Sequence, residues 1–514
     1  LPNDLKTLFD EAVRLHRSGH VIDAEKAYRD ILKLEPDQVD AIHLLGVLQI
    51  QCGRHWEGIA QIERAIALTA ATPVAEFHSN IATGLRAVDL LDRAINHLKT
   101  VVTLKPTDAD AHQRAGLVLM EAGAYADAAA YFSNAIALKV NFAEAHNNLG
   151  LALKQMGKYD EAVKAFRGAL AAQPQNAAAH YNLGVVLKDM GAVADAAACF
   201  NKAAAFDPQN AAAQWNRTLA YLLCGDFAEG WKTFDLYAKI SGAASRHFSQ
   251  PAWDGGSLTG KTILLYDEHG YGDTLQFARY ATDIAKQASR VVVQCRQDLM
   301  RLLATAPGVA EVVRVGDPLP PFDYHASFFV LPKLMATRME TIPSAVPYLF
   351  PPPEAVKAWQ ARGVLKAGKN AGVVWRGNTK TDPRRAVPIA QMAKIFAVRD
   401  FNWLSLQVGA DEAEQNALAD AGVQDCSGGL HDWADTAALI SGLDVVVTID
   451  TAVAHLAGAL GKPVWVLLPR LPDWRWLLER SDSPWYPTAR LFRQSGEADW
   501  DVVVSDVIKA LEQQ

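Results

Sequence analysis

Residues 143–176 read AEAHNNLGLALKQMGKYDEAVKAFRGALAAQPQN, and this stretch decides how the first half of the chain is read. Within it, Gly150 and Gly157 are followed by Tyr159, Ala162, Phe166, Ala169 and Pro174. The same residue types return every 34 positions: Gly19 and Gly53; Gly123, Gly157, Gly191 and Gly225; Gly116, Gly150 and Gly184; Phe132, Phe166, Phe200 and Phe234. A fixed period of this size marks one supersecondary unit stacked many times. Each unit reads as helix–turn–helix. The glycine at repeat position 15 ends the first helix, where a positive φ costs glycine least. Proline near position 32 closes the second helix at Pro36, Pro106, Pro174 and Pro208, because it cannot continue one. Small residues at positions 8 and 20 let the two helices approach, and a large apolar residue at position 24 fills the space between units. No unit buries its apolar face alone, so the array forms a solenoid whose long concave surface suits another protein or a peptide.

The pattern resembles the tetratricopeptide repeat, on Asn148-Leu149-Gly150, Gly157-Lys158-Tyr159, Ala162, Phe166, Ala169 and Pro174. Units fall at 5–38, 39–72, 75–108, 109–142, 143–176 and 177–210, with a degenerate seventh over 211–244 and a short insertion at Pro73-Val74. Position 6 of the first helix, expected to face the groove, holds Asn80, Asn148, Asn182 and Asn216, with Arg114 interrupting. A primary amide donates and accepts, so it can pair with a peptide backbone whatever the side chains are. In the cytosolic enzymes that place N-acetylglucosamine on proteins, a similar asparagine ladder grips the acceptor. Asparagine is also common at this position of tetratricopeptide repeats, so the column reads either as an acceptor-binding ladder or as consensus surface chemistry. His146 and His180 are expected to replace the usual packing aromatic and not to bind metal.

The chain has 514 residues, too many for one core. With 50 basic against 57 acidic residues its net charge is -7, which argues against nucleic acid or an anionic membrane as main partner. Cys52, Cys199, Cys224, Cys295 and Cys426 form no C-x-x-C pair, so buried thiols in a reducing, cytoplasmic setting are expected. No apolar run reaches the roughly 18 residues of a membrane span. The opening Leu1-Pro2-Asn3-Asp4 lacks the charged-then-apolar pattern of a signal peptide.

The period fades after Phe234, and the repeat array is bounded at 5–244. Residues 245–260, with Pro251, Trp253, Gly255, Gly256 and Gly260, read as a turn-rich connector that packs through Phe248 and Trp253. From Lys261 short apolar runs replace the period: Thr262–Tyr266, Arg290–Cys295, Val312–Val315 and Ala326–Val330. A helix is expected over 273–288, capped by Asp273. The proline-rich stretch from Pro343 to Pro353 reads as a linker, and a second strand series follows at Asn370–Trp375, Trp403–Gln407, Val445–Thr448 and Val464–Leu468. Strands alternating with helices imply parallel sheets. Two series suggest two Rossmann-like lobes, 261–350 and 351–514, facing each other across a cleft, with ligands at the carboxyl ends of the strands.

Three post-strand loops carry polar residues that solubility does not demand. In the first, Gly270 and Gly272 permit close backbone approach to a ligand, and Asp273 either caps a helix or does chemistry. In the second, Arg376, Asn378, Lys380, Arg384 and Arg385 suit a phosphate or diphosphate, or form a solvated charge cluster. In the third, Asp450, Thr451 and Ala452 open an apolar helix whose amino end favours an anion. Asp450 is anomalous beside a diphosphate; it caps the helix or accepts from a sugar hydroxyl. His455, one turn in, reads as a ligand contact or as a core histidine.

The segment from Asp444 to Leu468 is similar to the donor site of GT-B glycosyltransferases of the heptosyltransferase type, and Gly270-Tyr271-Gly272-Asp273-Thr274-Leu275-Gln276 matches their first-strand loop. The resemblance covers residues 260–495. It implies a tetratricopeptide solenoid followed by an α/β GT-B fold, a nucleotide-sugar donor, no cofactor, and inversion at the anomeric carbon. It further implies Asp273 as general base. From the residues, no Asp-x-Asp is expected in the α/β half, so no metal is required. Joined to the repeats, the chain looks like the bacterial tetratricopeptide glycosyltransferases, some of which modify flagellin, and the implied acceptor is a protein. It departs from lipopolysaccharide heptosyltransferases in carrying the array and the segment Pro469–Trp476.

Overall fold

A computed structural model describes residues 3–240, 246–377, 382–496 and 500–513. The chain divides into two compact units, Leu1–Met190 with Ala205–Asp207, and Gly191–Ala204 with Pro208–Gln514. The repeats give paired helices: α1 (Asn3–Arg17) and α2 (Val21–Leu34); α3 (Val39–Gln51) and α4 (His55–Leu68); α5 (Ala75–Ala87) and α6 (Leu91–Leu104); α7 (Ala109–Glu121) and α8 (Tyr125–Leu138); α9 (Ala143–Gln155) and α10 (Tyr159–Ala172); α11 (Ala177–Asp189) and α12 (Val193–Phe206).

The period has a direct physical cause in the first unit. After α3 the chain turns at Gly53, φ 79°, whose N–H bonds Ile50 O while Arg54 N–H reaches back to Gln49 O. This double bond from a left-handed residue ends a helix cleanly. In the third repeat Asp89 takes the glycine's place, φ 60°, with the same two bonds to Arg86 O and Leu85 O. Position 8 is small because position 24 is large. A Cβ on Gly150 would lie 2.6 Å from the ring of Phe166, which is fully buried. The position-4 histidines work as packing residues, as expected. Nε2 of His112, His146 and His180 each donates to a carbonyl six residues earlier, at 3.0–3.1 Å, and so pins the inter-repeat turn.

The second unit holds α13 (Ala211–Leu223), α14 (Phe227–Gly230), α15 (Leu236–Ile240) and then the α/β half. The seventh repeat keeps its first helix, but its second is broken into α14, a 3-10 turn and α15. Its aromatic residues explain the break. Phe227, Trp231 and Phe234 turn into a cluster with Phe329, Trp474 and Trp485, and Trp231 Nε1 donates to Thr337 O at 2.6 Å.

The first lobe contains β1 (Thr262–Tyr266), α16 (Tyr271–Phe277), α17 (Tyr280–Ala285), β2 (Arg290–Cys295), α18 (Gln297–Leu303), β3 (Val309–Arg314), β4 (Tyr324–Ser327) and α19 (Leu331–Leu334). Its strands are parallel in the order β3-β2-β1-β4. The connector packs on it: Trp253 is buried, its N–H on His325 O at 2.8 Å, and Phe248 lies 5.3 Å from Tyr266. The second lobe contains α20 (Pro353–Ala361), β5 (Lys369–Val374), α21 (Ile389–Phe396), β6 (Phe401–Ser405), α22 (Glu412–Ala421), β7 (Gln424–Asp425), α23 (Trp433–Ser441), β8 (Val445–Ile449), α24 (Ala452–Ala459), β9 (Val464–Leu468), β10 (Ala489–Arg493) and α25 (Trp500–Leu511). Its strands are parallel in the order β10-β9-β8-β5-β6-β7. Val373, Val445, Val447 and Leu467 from its strands, Met392 and Ile395 from α21 and Val504 from α25 form one buried core.

Three local expectations need correction. The helix expected over 273–288 starts at Tyr271 and breaks between Phe277 and Tyr280, where Arg279 Nε takes the Gln276 carbonyl at 2.8 Å. The strand expected over Ala326–Val330 ends at Ser327; Phe328–Val330 form a 3-10 turn into α19, which Pro332 suits as an early helical residue. Cys295 and Cys426 are buried, but Cys52 and Cys224 are exposed, because each sits at the carboxyl cap of a first helix. Among the described residues no helix is long and apolar enough to cross a membrane.

Two substitutions test the repeat geometry. Gly150→Val should cost about 1–3 kcal/mol by driving a branched side chain into Phe166. Asp89→Gly should raise stability by about 0.5–1 kcal/mol, because glycine relieves the left-handed backbone. Urea midpoints check both, and a lower midpoint for Asp89→Gly would refute the strain at that turn.

Candidate functional site

In each parallel sheet the chain starts in the middle and reverses direction across it. The first lobe reverses between β1 and β4, the second between β5 and β8. At such switch points the loops beyond the strands diverge and leave a crevice. The loops after β1, β5 and β8 line one cavity of ≈ 950 Å³. Gly270, Gly272, Asp273, Arg376, Arg385, Asp450, Thr451, Ala452 and His455 all line it. Asn378 and Lys380 lie outside the described residues. Asn80, Asn148, Asn182 and Asn216 do not line it. Asn80 Nδ2 meets His43 Nε2 at 2.9 Å, Asn182 Nδ2 donates to Asn147 Oδ1 at 3.0 Å, and Asn216 Nδ2 donates to Ala212 O at 3.0 Å. Asn148 is buried, and its Nδ2 has no hydrogen-bond partner among the described residues.

Asp273 stands at the third position of α16, not at its cap. Its Oδ2 accepts the Gly270 N–H at 3.0 Å, which folds the Gly270–Gly272 loop onto the helix end. Its Oδ1 accepts from Arg475 Nη2. Arg475 comes from the segment Pro469–Trp476, and the reading of the sequence gave it no role in the site. Arg475 is 7% exposed and its guanidinium is engaged on every nitrogen: Nε on Gln276 Oε1 at 2.6 Å, Nη1 on Asp473 Oδ1 at 2.9 Å, Nη2 on Asp273, and its plane 4.5 Å from the Trp474 ring. Burial disfavours the charge, but the carboxylates of Asp473 and Asp273 outweigh it and keep the group protonated. Two aromatic residues flanking an arginine beside Asp473 were the only signal in the sequence.

Opposite Asp273 lies the amino end of α24. Thr451 is its cap residue, so the first N–H groups, at Ala452 and Val453, are not used within the helix and lie in the cavity wall. Gly272 makes this apposition possible: a Cβ there would lie 2.9 Å from His455 Cδ2 and 3.7 Å from Ala452 Cα. His455 is buried, its Nδ1 2.9 Å from Tyr486 Oη and its ring stacked on Trp476 at 5.4 Å. Burial, with the nearby Arg475, pushes it down to about 3, so it stays neutral.

The cations of the second loop differ in their surroundings. Arg376 forms a fork with Glu414, at 2.7 and 2.8 Å, and also donates to Gly409 O. Glu414 is held down near about 2: burial opposes its ionisation, but Arg376 and the Trp375 indole outweigh burial. Arg385 donates to Asp450 Oδ2 at 3.1 Å, so Asp450 is a partner of that arginine and not the cap of α24. Arg384 pairs with Asp382 and does not line the cavity. An Asp-x-Asp does occur in this half, at 499–501. Asp501 is exposed, pairs with Lys394 at 2.5 Å and does not line the cavity, and Asp499 lies outside the described residues.

The remaining wall combines Tyr271, Trp433, Phe329 and Tyr237 with Trp215 and Leu219 from α13. Tyr271 and Trp433 bring rings from the two lobes to 5.2 Å. Tyr237 lies 4.7 Å from His269 and 4.8 Å from Phe329. These residues were not foreseen as part of the site, because Trp215 and Tyr237 read as members of the repeat.

The N-terminal half is a tetratricopeptide array, and the α/β half rests on two parallel sheets whose switch points share a cavity. Comparison with known proteins agrees for the repeats: residues 147–211 match a tetratricopeptide repeat model and residues 116–157 a TPR repeat model. The chain is a distant relative of Protein FlbA of Caulobacter vibrioides, 26% identical over 335 residues. That match covers 57% of this chain, a longer stretch than residues 1–240, and 54% of FlbA, so the chain spans about half of that protein's length. A mouse protein, Protein O-mannosyl-transferase TMTC1, is 29% identical over 119 residues, which is 23% of this chain and 13% of that protein. Among solved structures, MamA is 27% identical and covers 32% of this chain and 96% of its own, with a TM-score of 0.31. YrrB, described as a TPR protein with an unusual peptide-binding site, is 20% identical over 37% of this chain and 96% of its own, with a TM-score of 0.33.

The neutral His455 gives the lobes a pH dependence with a defined sign. An unfolded imidazole takes a proton near pH 6.5, and the folded one only near about 3. Between these values the unfolded state binds more protons, so stability falls as pH drops, by about 1.4 kcal/mol per pH unit from this group. In His455→Gln the acid-side slope of the unfolding free energy against pH, from urea titrations, should flatten by that amount. An unchanged slope would show that the imidazole titrates freely in the folded chain.

Proposed function

We propose that the chain is a GT-B-type glycosyltransferase that moves a sugar from a nucleotide sugar to a hydroxyl of a protein. The observation that carries this reading is the cavity itself. Asp273 at its first-lobe wall faces the amino end of α24 and Arg385 at its second-lobe wall, and the strand ends of both sheets open into it. A base on one side and charge neutralisation on the other are what transfer to a hydroxyl requires.

The second lobe takes the donor. Its phosphate oxygens meet the α24 N–H groups and the Arg385 guanidinium, and Asp450 keeps that guanidinium oriented. Arg376, forked to Glu414, shapes the loop, and its charge is largely spent there. The acceptor oxygen forms a bond to the anomeric carbon as the bond from that carbon to the phosphate oxygen breaks. The bonding electron pair leaves on the nucleoside phosphate, and the hydroxyl proton passes to Asp273. A single displacement of this kind inverts the anomeric carbon. Each Asp273 oxygen accepts one internal hydrogen bond, and a carboxylate has about four lone-pair sites, so capacity remains for the acceptor hydroxyl.

The repeats hold the acceptor in this reading. The asparagine column is assigned to the acceptor because a primary amide can both donate to and accept from a peptide backbone. The same reading assigns 5–244 to acceptor recognition, 245–260 to a connector, 261–350 to the base-bearing lobe and 351–514 to donor binding.

A panel of nucleotide sugars tests this by thermal shift and by donor hydrolysis. One donor should raise the melting temperature and be hydrolysed slowly. Asp273→Asn should keep that shift while losing turnover by a factor on the order of 10²–10⁴. Full turnover in the variant would remove Asp273 as base, and no shift with any donor would leave the chain an interaction scaffold. Replacing Asn148, Asn182 and Asn216 together by Ala should weaken transfer to protein and spare donor hydrolysis; equal loss of both would return the column to a structural role.

A further inference from the structure

The seventh repeat departs from the six before it in a way that tandem packing does not require. Its second helix is dismantled, and Phe227, Trp231 and Phe234 anchor it to Phe329 of the first lobe and to Trp474 and Trp485 of the second. This anchoring leaves Trp215 and Leu219, at repeat positions 5 and 9 of α13, in the wall of the cavity, with the Tyr237 ring 5.0 Å from Trp215. Both aromatic residues are only partly buried, so part of each ring faces open space. Tyr237 and Asp273 line the same cavity, and burial, and then the Asp273 charge, push the Tyr237 phenol up. At position 5 the two preceding repeats carry Asn147 and Tyr181.

On the reading that Asp273 activates an acceptor hydroxyl, we infer that Trp215, Leu219 and Tyr237 form an acceptor subsite for an apolar residue next to the hydroxyl-bearing residue of a polypeptide. The charges decide which substrate uses this wall. The α24 amino end and Arg385 lie on the second lobe and suit a phosphate. The seventh-repeat wall offers flat apolar rings on the base side, and such rings gain by covering an aliphatic or proline side chain and gain little from a phosphate. The rings also exclude water from the hydroxyl that Asp273 must reach. The seventh repeat thus belongs to the site and does more than extend the array.

The probe is an array of immobilised peptides, each with one central serine or threonine, whose neighbours are varied through apolar, proline, polar and acidic residues. It is incubated with full-length enzyme and the nucleotide sugar that the enzyme hydrolyses. Wild type should label peptides with an apolar or proline neighbour at least tenfold more than those with an acidic one. Trp215→Ala and Tyr237→Ala should lose that preference while donor hydrolysis and the donor-induced thermal shift stay within twofold of wild type. Trp215→Phe, which keeps a ring, should retain it. An unchanged preference in both alanine variants would overturn the subsite, as would donor hydrolysis falling in step with labelling. Wild-type enzyme that labels peptides without regard to neighbour would also overturn it, with the transferase reading intact. Failure of every donor to bind or react with wild type would instead refute the transferase reading.

Discussion

A guanidinium buried between two lobes constrains where those lobes can go. Arg475 reaches from the second lobe into α16 of the first, where Asp273 and Gln276 accept from it, and Asp473 accepts on its own side. Removing such a charge from water costs several kcal/mol unless its partners are in place. Separating the lobes would strand it, so the ion pair favours the arrangement in which Asp273 faces the α24 amino end. Arg279 repeats the logic without an acid. It donates to Gln276 O, Pro343 O, Trp485 O and Tyr348 Oη, and lies over the rings of Tyr348 and Tyr486. Helix α16, the proline-rich stretch and the second lobe therefore share one buried cation.

Much of the fold was legible, because its determinants are local. The 34-residue period reflects pairs such as Gly150 with Phe166, sixteen residues apart within one repeat, which any stacked copy must preserve. The buried central strands β1, β2, β8 and β9 are continuous apolar runs, since helices cover both faces of a parallel sheet. β10 was not legible: Arg490 and Arg493 interrupt its apolar residues because it forms one edge of its sheet. Asp89 broke the glycine column while keeping the backbone that glycine serves.

The candidate site was legible where a loop follows a strand. Asp273, Arg385, Asp450 and Thr451 lie in the segments that follow β1, β5 and β8, and a parallel sheet gathers such segments at one end by construction. Arg475 and Trp474 follow no such rule. They reach the cavity through a loop after β9 that contributes to no ladder, and their partners on α16 are 199 and 202 residues away in sequence. A long-range ion pair leaves no periodic trace. Trp215 was hidden for the opposite reason: its place in a regular repeat was sufficient explanation until the broken helix after it showed what it faces.

That broken helix has a consequence for how such a chain can change over generations. A solenoid in which each repeat touches mainly its neighbours tolerates gain or loss of whole repeats. The seventh repeat has exchanged this freedom for a fixed seat, with Trp231 bonded to Thr337 and Phe234 stacked on Phe329. It is the one repeat that cannot be duplicated or deleted without rebuilding the cavity. The repeats before it are free to lengthen, shorten or diverge, so lineages that keep one cavity can change the surface their arrays present by editing the repeats that precede the seventh.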